Sequence, residues 1–202
     1  MVLTNIQNPQ LKTVWINGQF YYQQGRSSLF HPVDRILKQT QAEKATAILA
    51  KWRDRVGQQS ADRKPFVGKT LHQLIQNYLQ NSSISHCSNL IAPYWQSIQP
   101  VLENITDTYL VETAVPYKGQ YPYAGKVDFW GEYKGIPCVI EWTTSEDPKG
   151  LAEKLYDKRL QLTAYCGAVN HYYGIKINYA LVVVALPSQE AEIFEFEREH
   201  LI

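Results

Sequence analysis

An α/β sandwich around a mixed central sheet is the fold this sequence predicts, and three observations carry it. Three consecutive runs, T-Y-L-V-E-T-A-V-P-Y, Y-A-G-K-V-D-F-W-G-E-Y and I-P-C-V-I-E-W-T, are β-branched and aromatic and are bounded by Gly and Pro. Helical periodicity both precedes and follows them. A continuous apolar run, N-Y-A-L-V-V-V-A-L, then has the length and composition of a buried strand in the middle of a sheet. At 202 residues, one domain is expected, with a core over residues 29–186. Residues 1–28 form a hairpin extension, and residues 187–202 an edge strand and tail.

Taken in order, V-W-I-N-G-Q-F-Y-Y places Asn17-Gly18 between two β-prone runs, a strong two-residue turn signal. Its aromatics Trp15, Phe20, Tyr21 and Tyr22 have the chemistry to stack on bases, or to form the packing face of a small flap. Leu29 to Leu37 reads as a linker broken by Pro32. Thr40 and Glu43 make a capping box for a first helix that Gly57 stops. A second helix spans about Ala61 to Gln80, with Leu71, Leu74, Ile75, Tyr78 and Leu79 as its apolar stripe and His72 in its middle. A third covers about Pro93 to Asn104, with Pro100 implying a kink. After the three strands, a helix carrying Gln161 and Tyr165 ends near Gly174. The alternating run A-E-I-F-E-F closes the sheet as an edge strand.

Composition sets limits on function. Hydrophobic content of 45% and charged content of 19% describe an ordinary globular protein. The start lacks the basic region and apolar run of a signal peptide, and no apolar run is long enough to span a bilayer. Cys87, Cys138 and Cys166 are odd in number and widely spaced, as expected of reduced thiols in a cytoplasmic protein. Net charge is only +1, yet Asp34 to Lys69 holds nine Lys or Arg against four Asp or Glu. Such a local excess fits phosphate contacts, and equally a solvated helix face.

The chemistry concentrates between Ala124 and Tyr165. Asp128 and Glu141 lie on two strands joined by a turn containing Lys134-Gly135, so a hairpin lets both carboxylates converge. Converging carboxylates in an apolar sheet are costly unless they share a cation, and a hard divalent ion is the simplest partner. The blander alternative has Asp128 capping a turn and Glu141 paired with Lys126. Gln161 and Tyr165, four residues apart, share one helix face.

Asp128, Glu141 and Q-L-T-A-Y, together with G-K-T-L-H (Gly68 to His72) and S-E-D-P-K, resemble the PD-(D/E)XK nucleases. The likeness is to the RecB-type branch, which includes the mitochondrial genome maintenance exonucleases and related phage and bacterial exonucleases. It covers roughly Leu29 to Ala185. The resemblance implies a restriction-endonuclease-like α/β/α sandwich and a Mg²⁺- or Mn²⁺-dependent deoxyribonuclease acting on single-stranded DNA or DNA ends. It also implies Asp128, Glu141, His72 and the Trp142 carbonyl as metal ligands. Gln161 and Tyr165 would contact phosphate or orient the centre. His72 taken alone is as readily a core histidine satisfied by one hydrogen bond.

One departure stands out. The family carries a lysine two residues after the second carboxylate, where this chain has Thr143. A threonine can hydrogen-bond a water but brings no positive charge, so the expectation is a nuclease site impaired at Thr143, unless a lysine from elsewhere takes the role. Lys158 is the foremost candidate for a relocated lysine, with Lys149 in the preceding loop as the other. A helix regular from Leu151 puts Lys154, Lys158, Gln161 and Tyr165 on one face. One capped at Asp157 leaves Lys158 in the first turn and Lys154 outside. Two functions therefore compete: a metal-dependent exonuclease, and a nucleic-acid-binding module that keeps the fold without turnover.

Overall fold

The computed structural model describes residues 6–40, 58–82, 87–197 and 199. The hairpin is β1 (Leu11–Ile16) and β2 (Gln19–Gln24), followed by β3 (Ser28–Pro32) and α1 (Val33–Thr40). Next come α2 (Gln58–Leu79) and α3 (Ala92–Leu102), then the strands β4 (Ile105–Tyr117), β5 (Tyr123–Tyr133) and β6 (Ile136–Thr144). A 3₁₀ turn (Ala152–Leu155) leads into α4 (Tyr156–Tyr173), and β7 (Tyr179–Ala185) and β8 (Glu192–Glu197) complete the chain.

The expected elements form, with two amendments. The helix expected to run from Thr40 to Gly57 lies, beyond Thr40, outside the described residues. The stretch expected as a linker, Leu29 to Leu37, is instead the end of β3 and the start of α1. Pro32 sits where the strand ends and α1 begins, a position that needs no backbone donor. Strand β3 ties the hairpin to the main sheet, pairing antiparallel with β2 and parallel with β5 through His31↔Tyr123 and Pro32↔Ala124. The sheet runs β1-β2-β3-β5-β6-β7-β8, with β4 on the other edge of β5. It is mixed, because β3–β5 and β6–β7 are parallel and the other pairs antiparallel.

Helices cover both faces. Alternation along β7 makes the division plain: Ala180, Val182 and Val184 pack toward α4, whereas Leu181, Val183 and Ala185 pack toward α2 and α3. The helix α4 ends at Gly174, whose φ of 64° supplies the left-handed cap that a Cβ would disfavour. Cys138 and Cys166 are buried and Cys87 half-buried, and among the described residues none of the three forms a disulfide. Among the described residues no helix is long and apolar enough to cross a membrane.

The arrangement around β5 positions the site. One of its edges is lined by β4. The other takes β3 only at Tyr123 and Ala124, and β6 only from Phe129 to Tyr133. Residues 125–128 on that edge thus face a gap between two diverging strands. Alternation slips at the same place. Val127 and Trp130 face α4 but Phe129 faces α2, and on β4 Leu110 and Val115 face α4 but Val111 faces α2. The slip falls at Glu112, a non-glycine residue with φ of 48°.

Candidate active site

The β5–β6 hairpin closes through a two-residue loop, Lys134-Gly135, with φ of 51° and 76°. Both signs are those of a type I′ turn, which Lys-Gly tolerates because the second position has no Cβ. Its register extrapolates to Asp128 opposite Glu141, one step beyond the last ladder pair, Phe129↔Ile140. There the strands part, and the Trp142 N–H donates to Asp128 Oδ2 at 3.0 Å. The two carboxylates converge as expected and are nearly sealed from solvent, at 6% and 1% exposure. Burial, then the charge of Glu112, pushes Asp128 up to about 7 against the pull of Lys158 and the Trp142 N–H. Burial, then Asp128 itself, raises Glu141 well above the usual carboxylate range.

His72, in the middle of α2, reaches this pair. Its Nδ1 lies 2.8 Å from Glu112 Oε1 and 3.8 Å from Asp128 Oδ2. Its Nε2 lies 3.1 Å from the Trp142 carbonyl oxygen. Ligand atoms of His72, Glu112 and Asp128 all fall within 4.8 Å of one another. Glu112, on the strand before Asp128, is not legible as a site residue from spacing, because strand alternation alone does not aim it. Pairs Val111↔Phe129 and Thr113↔Val127 flank it, so it stands opposite Asp128. Its left-handed backbone costs about 1–2 kcal/mol for an L-residue, the kind of strain held at functional sites. Burial would raise the Glu112 carboxyl, but contacts with His72 and Lys126 outweigh it and hold it below the ordinary value. Lys126 therefore pairs with Glu112, which corrects the alternative that paired it with Glu141.

The donor set fits a hard divalent cation. It offers carboxylates, an imidazole and a backbone carbonyl, and Glu141 Oε2 is buried without a hydrogen-bond partner. A buried, unmatched carboxylate oxygen is costly unless something cationic meets it.

Beyond Glu141 the contacts continue along α4. Lys158 Nζ donates to Glu141 Oε1 at 2.5 Å and to Gln161 Oε1 at 3.3 Å, and Gln161 Nε2 donates to the Tyr165 hydroxyl at 2.6 Å. The helix starts at Tyr156 after the 3₁₀ turn, so Lys158 lies in its first turn and Lys154 outside it. That excludes a helix regular from Leu151, and the N-cap is Leu155 rather than Asp157. Tyr165 is 2% exposed and lies hard against Gly125, where a Cβ would come within 2.4 Å of its ring. The glycine of G-K-V-D is thus a packing requirement of the helix beside it. Thr143 is half-buried, two residues along β6 from Glu141.

A cavity of about 610 Å³ opens beside these residues, lined by Lys64, Lys149 and Lys154 with Thr144, Ser145 and Asp147. Lys149, the other candidate for the relocated ammonium, stands in this wall. Its loop is anchored by Glu192, which accepts the Lys149 and Gly150 N–H groups at 2.6 and 2.9 Å. Of the basic stretch before the sheet, Lys64 reaches this wall; Arg53 and Arg55 lie outside the described residues.

No family model matches the chain. It is 34% identical over 165 residues to mitochondrial genome maintenance exonuclease 1 of Mus musculus, covering 76% of this chain and 48% of the relative. The Homo sapiens protein of that name is 32% identical over 166 residues, again 76% of this chain and 48% of the relative. The Xenopus tropicalis protein is 33% identical over 167 residues, at 76% and 47%. The chain spans about half the length of these relatives. Among solved structures, one from Eubacterium rectale, provisionally assigned as an exonuclease, is 10% identical over 67% of this chain and 60% of its own, with a TM-score of 0.46. That likeness is too loose to carry weight. Over 76% of its length the chain is thus similar in sequence to the mitochondrial genome maintenance exonucleases.

Proposed function

We propose that this chain is a metal-dependent DNA exonuclease that hydrolyses phosphodiester bonds in single-stranded DNA or at DNA ends, with Lys158 in place of the lysine missing at Thr143. The observation that carries this reading is the Lys158–Glu141 contact of 2.5 Å. It puts an ammonium beside the second motif carboxylate from a different element than the motif specifies. His72, Glu112, Asp128, Glu141 and the Trp142 carbonyl would hold the metal, Mg²⁺ or Mn²⁺. When bound, that ion supplies Lewis-acid polarisation of the phosphate and a lowered pKa for its water.

The chain's own residues do the rest. Glu141 orients the Lys158 ammonium, and Lys158 balances charge on the phosphoryl oxygens as the pentacoordinate state develops. Gln161 holds Lys158 from the side, and the Tyr165 hydroxyl fixes Gln161. Glu112 holds His72 through Nδ1, which leaves Nε2 facing the carbonyl side of the site. Lys64 and Lys149 in the neighbouring cavity wall attract the phosphate backbone.

The missing motif lysine also favours a second reading, a binding module of the same fold without turnover. End-labelled linear and circular single-stranded DNA, incubated with Mg²⁺ and then Mn²⁺, separate the two. The exonuclease reading expects the linear strand to shorten and the circle to survive. Absence of cleavage of any DNA with both metals overturns it in favour of the binding module.

A further inference from the structure

The aromatic hairpin stands apart from the site chemistry, and its side chains need another explanation. On one face of β1–β2, Trp15 opposes Phe20, and Thr13 opposes Tyr22. The rings form a continuous ladder: Trp15 to Phe20 at 6.0 Å between centroids, then Phe20 to Tyr22 at 4.9 Å. Trp15 at the tip is 73% exposed, and the other two are half-buried. None of the three belongs to either core cluster. A tip tryptophan with most of its surface in water contributes little to folding, since burial is what stabilises a ring.

The inner end of the ladder is tied into the sheet that carries the site. Strand β2 joins β3, and β3 joins β5 at Ala124, four residues before Asp128. Its inner end, Tyr22, lies close enough to Glu112 and Asp34 for both charges to act on its hydroxyl, which burial first of all raises to about 12. Charge agrees with the geometry. Residues 1–33 contain no Asp or Glu but do contain Lys12 and Arg26. On the opposite face, Arg35 lies over the Tyr21 ring at 4.3 Å, and Tyr21 sits 5.2 Å from His31. A hairpin that carries no acidic residue of its own, with a row of rings on one face and Arg35 on the other, suits a polyanion whose flat bases are unpaired.

Resting on the nuclease reading above, we propose that the Trp15–Phe20–Tyr22 ladder is a base-stacking track that guides single-stranded DNA from the hairpin tip to the His72–Glu112–Asp128 cluster. It adds a substrate-binding surface outside the catalytic centre. Duplex DNA, with its bases stacked internally, gains nothing from the rings.

The test measures binding of fluorescently labelled oligothymidylate of about 20 nucleotides to the whole chain in EDTA, where no hydrolysis occurs. Affinity is expected to fall roughly 5- to 100-fold in Trp15→Ala and further in the Trp15→Ala/Phe20→Ala double variant, since each ring serves one base. Trp15→Phe, which keeps a ring, should restore most of it. Unchanged affinity in both alanine variants overturns the track, even where cleavage of linear DNA persists and the nuclease reading stands. An equal loss for blunt duplex also overturns it, as does failure of the unmodified chain to bind single strands. Ring-dependent binding in a chain that cleaves nothing supports the track while the nuclease reading falls. Because Trp15 is a tip residue, its substitution leaves the thermal transition in place, and Trp15→Phe isolates stacking from any general disturbance of the hairpin.

Discussion

Exchange of the lysine between two elements is the perturbation on which the site reading turns. Lys158 Nζ sits 2.5 Å from Glu141 Oε1, with side-chain exposure of 33% against 2%. A charge aimed at the developing phosphoryl charge contributes on the order of 3 kcal/mol, or about 10²-fold in rate. Lys158→Ala should therefore lower kcat by about 10²-fold or more with little change in KM, because the interaction strengthens only in the transition state. The fold should survive, since Glu141, already raised well above its usual range, answers loss of its partner by holding a proton. Thr143→Lys in the unmodified chain should add little, because the ammonium position is filled. In the Lys158→Ala background the same change should recover a large part of the rate, as Thr143 and Glu141 alternate onto one face of β6. Single-turnover cleavage of end-labelled single-stranded DNA reads all four proteins, with thermal melting as the folding control. Undiminished cleavage by Lys158→Ala refutes the relocation. A Thr143→Lys chain that alone becomes fast shows instead a site impaired at position 143.

The remaining expectations use other measurements. Asp128 rises from 3.8 to about 7 in the folded chain, so between those values the folded state holds the extra proton and metal-free stability falls as pH rises. Within the window from pH 5 to pH 8 the loss is on the order of 3 kcal/mol, about two units at 1.36 kcal/mol each; thermal melts in EDTA should drop from pH 5 to pH 8, Asp128→Asn should shrink the drop, to which Glu141 adds in the same direction, and a flat profile would contradict it. Glu112 acts in the opposite direction but only below its ordinary value, as pH falls toward its lowered pKa, outside the window from pH 5 to pH 8. Mn²⁺ titration by calorimetry should lose its signal in Asp128→Ala and weaken by about 10-fold or more in Glu112→Gln, and an unaltered isotherm would remove either residue from the ligand set. Gly125→Ala should cost about 1–3 kcal/mol in urea unfolding, because its Cβ meets the Tyr165 ring at 2.4 Å, whereas Gly68→Ala, 3.8 Å from Thr144 Oγ1, should be far milder. Charge reversal at Lys64 and Lys149 should weaken DNA binding and flatten its salt dependence by about one unit of slope per lost contact; an unchanged slope would leave the cavity wall without a phosphate role.

The sequence alone determined what depends on neighbours along the chain. Asn17-Gly18 and Lys134-Gly135 announced their hairpins because only certain residues adopt positive φ in succession. The β7 run announced a strand buried on both faces, and Gly174 a helix end. Asp128 and Glu141 were legible as a pair because one tight hairpin separates them. What stayed illegible depends on strands and helices that meet only in three dimensions. Pro32 read as a break, yet β3 forms because β5 offers it an edge at Tyr123 and Ala124. Glu112 escaped notice because its aim depends on a left-handed residue in mid-strand, where alternation slips against β5. The ammonium beside Glu141 arrives from the first turn of α4, seventeen residues away, and Lys126 turns to Glu112 instead. Local spacing fixes which residues share a face. The packing of α4 and α2 on opposite faces of a splayed sheet decides which charges meet, since a buried carboxylate takes whichever partner the fold brings within reach.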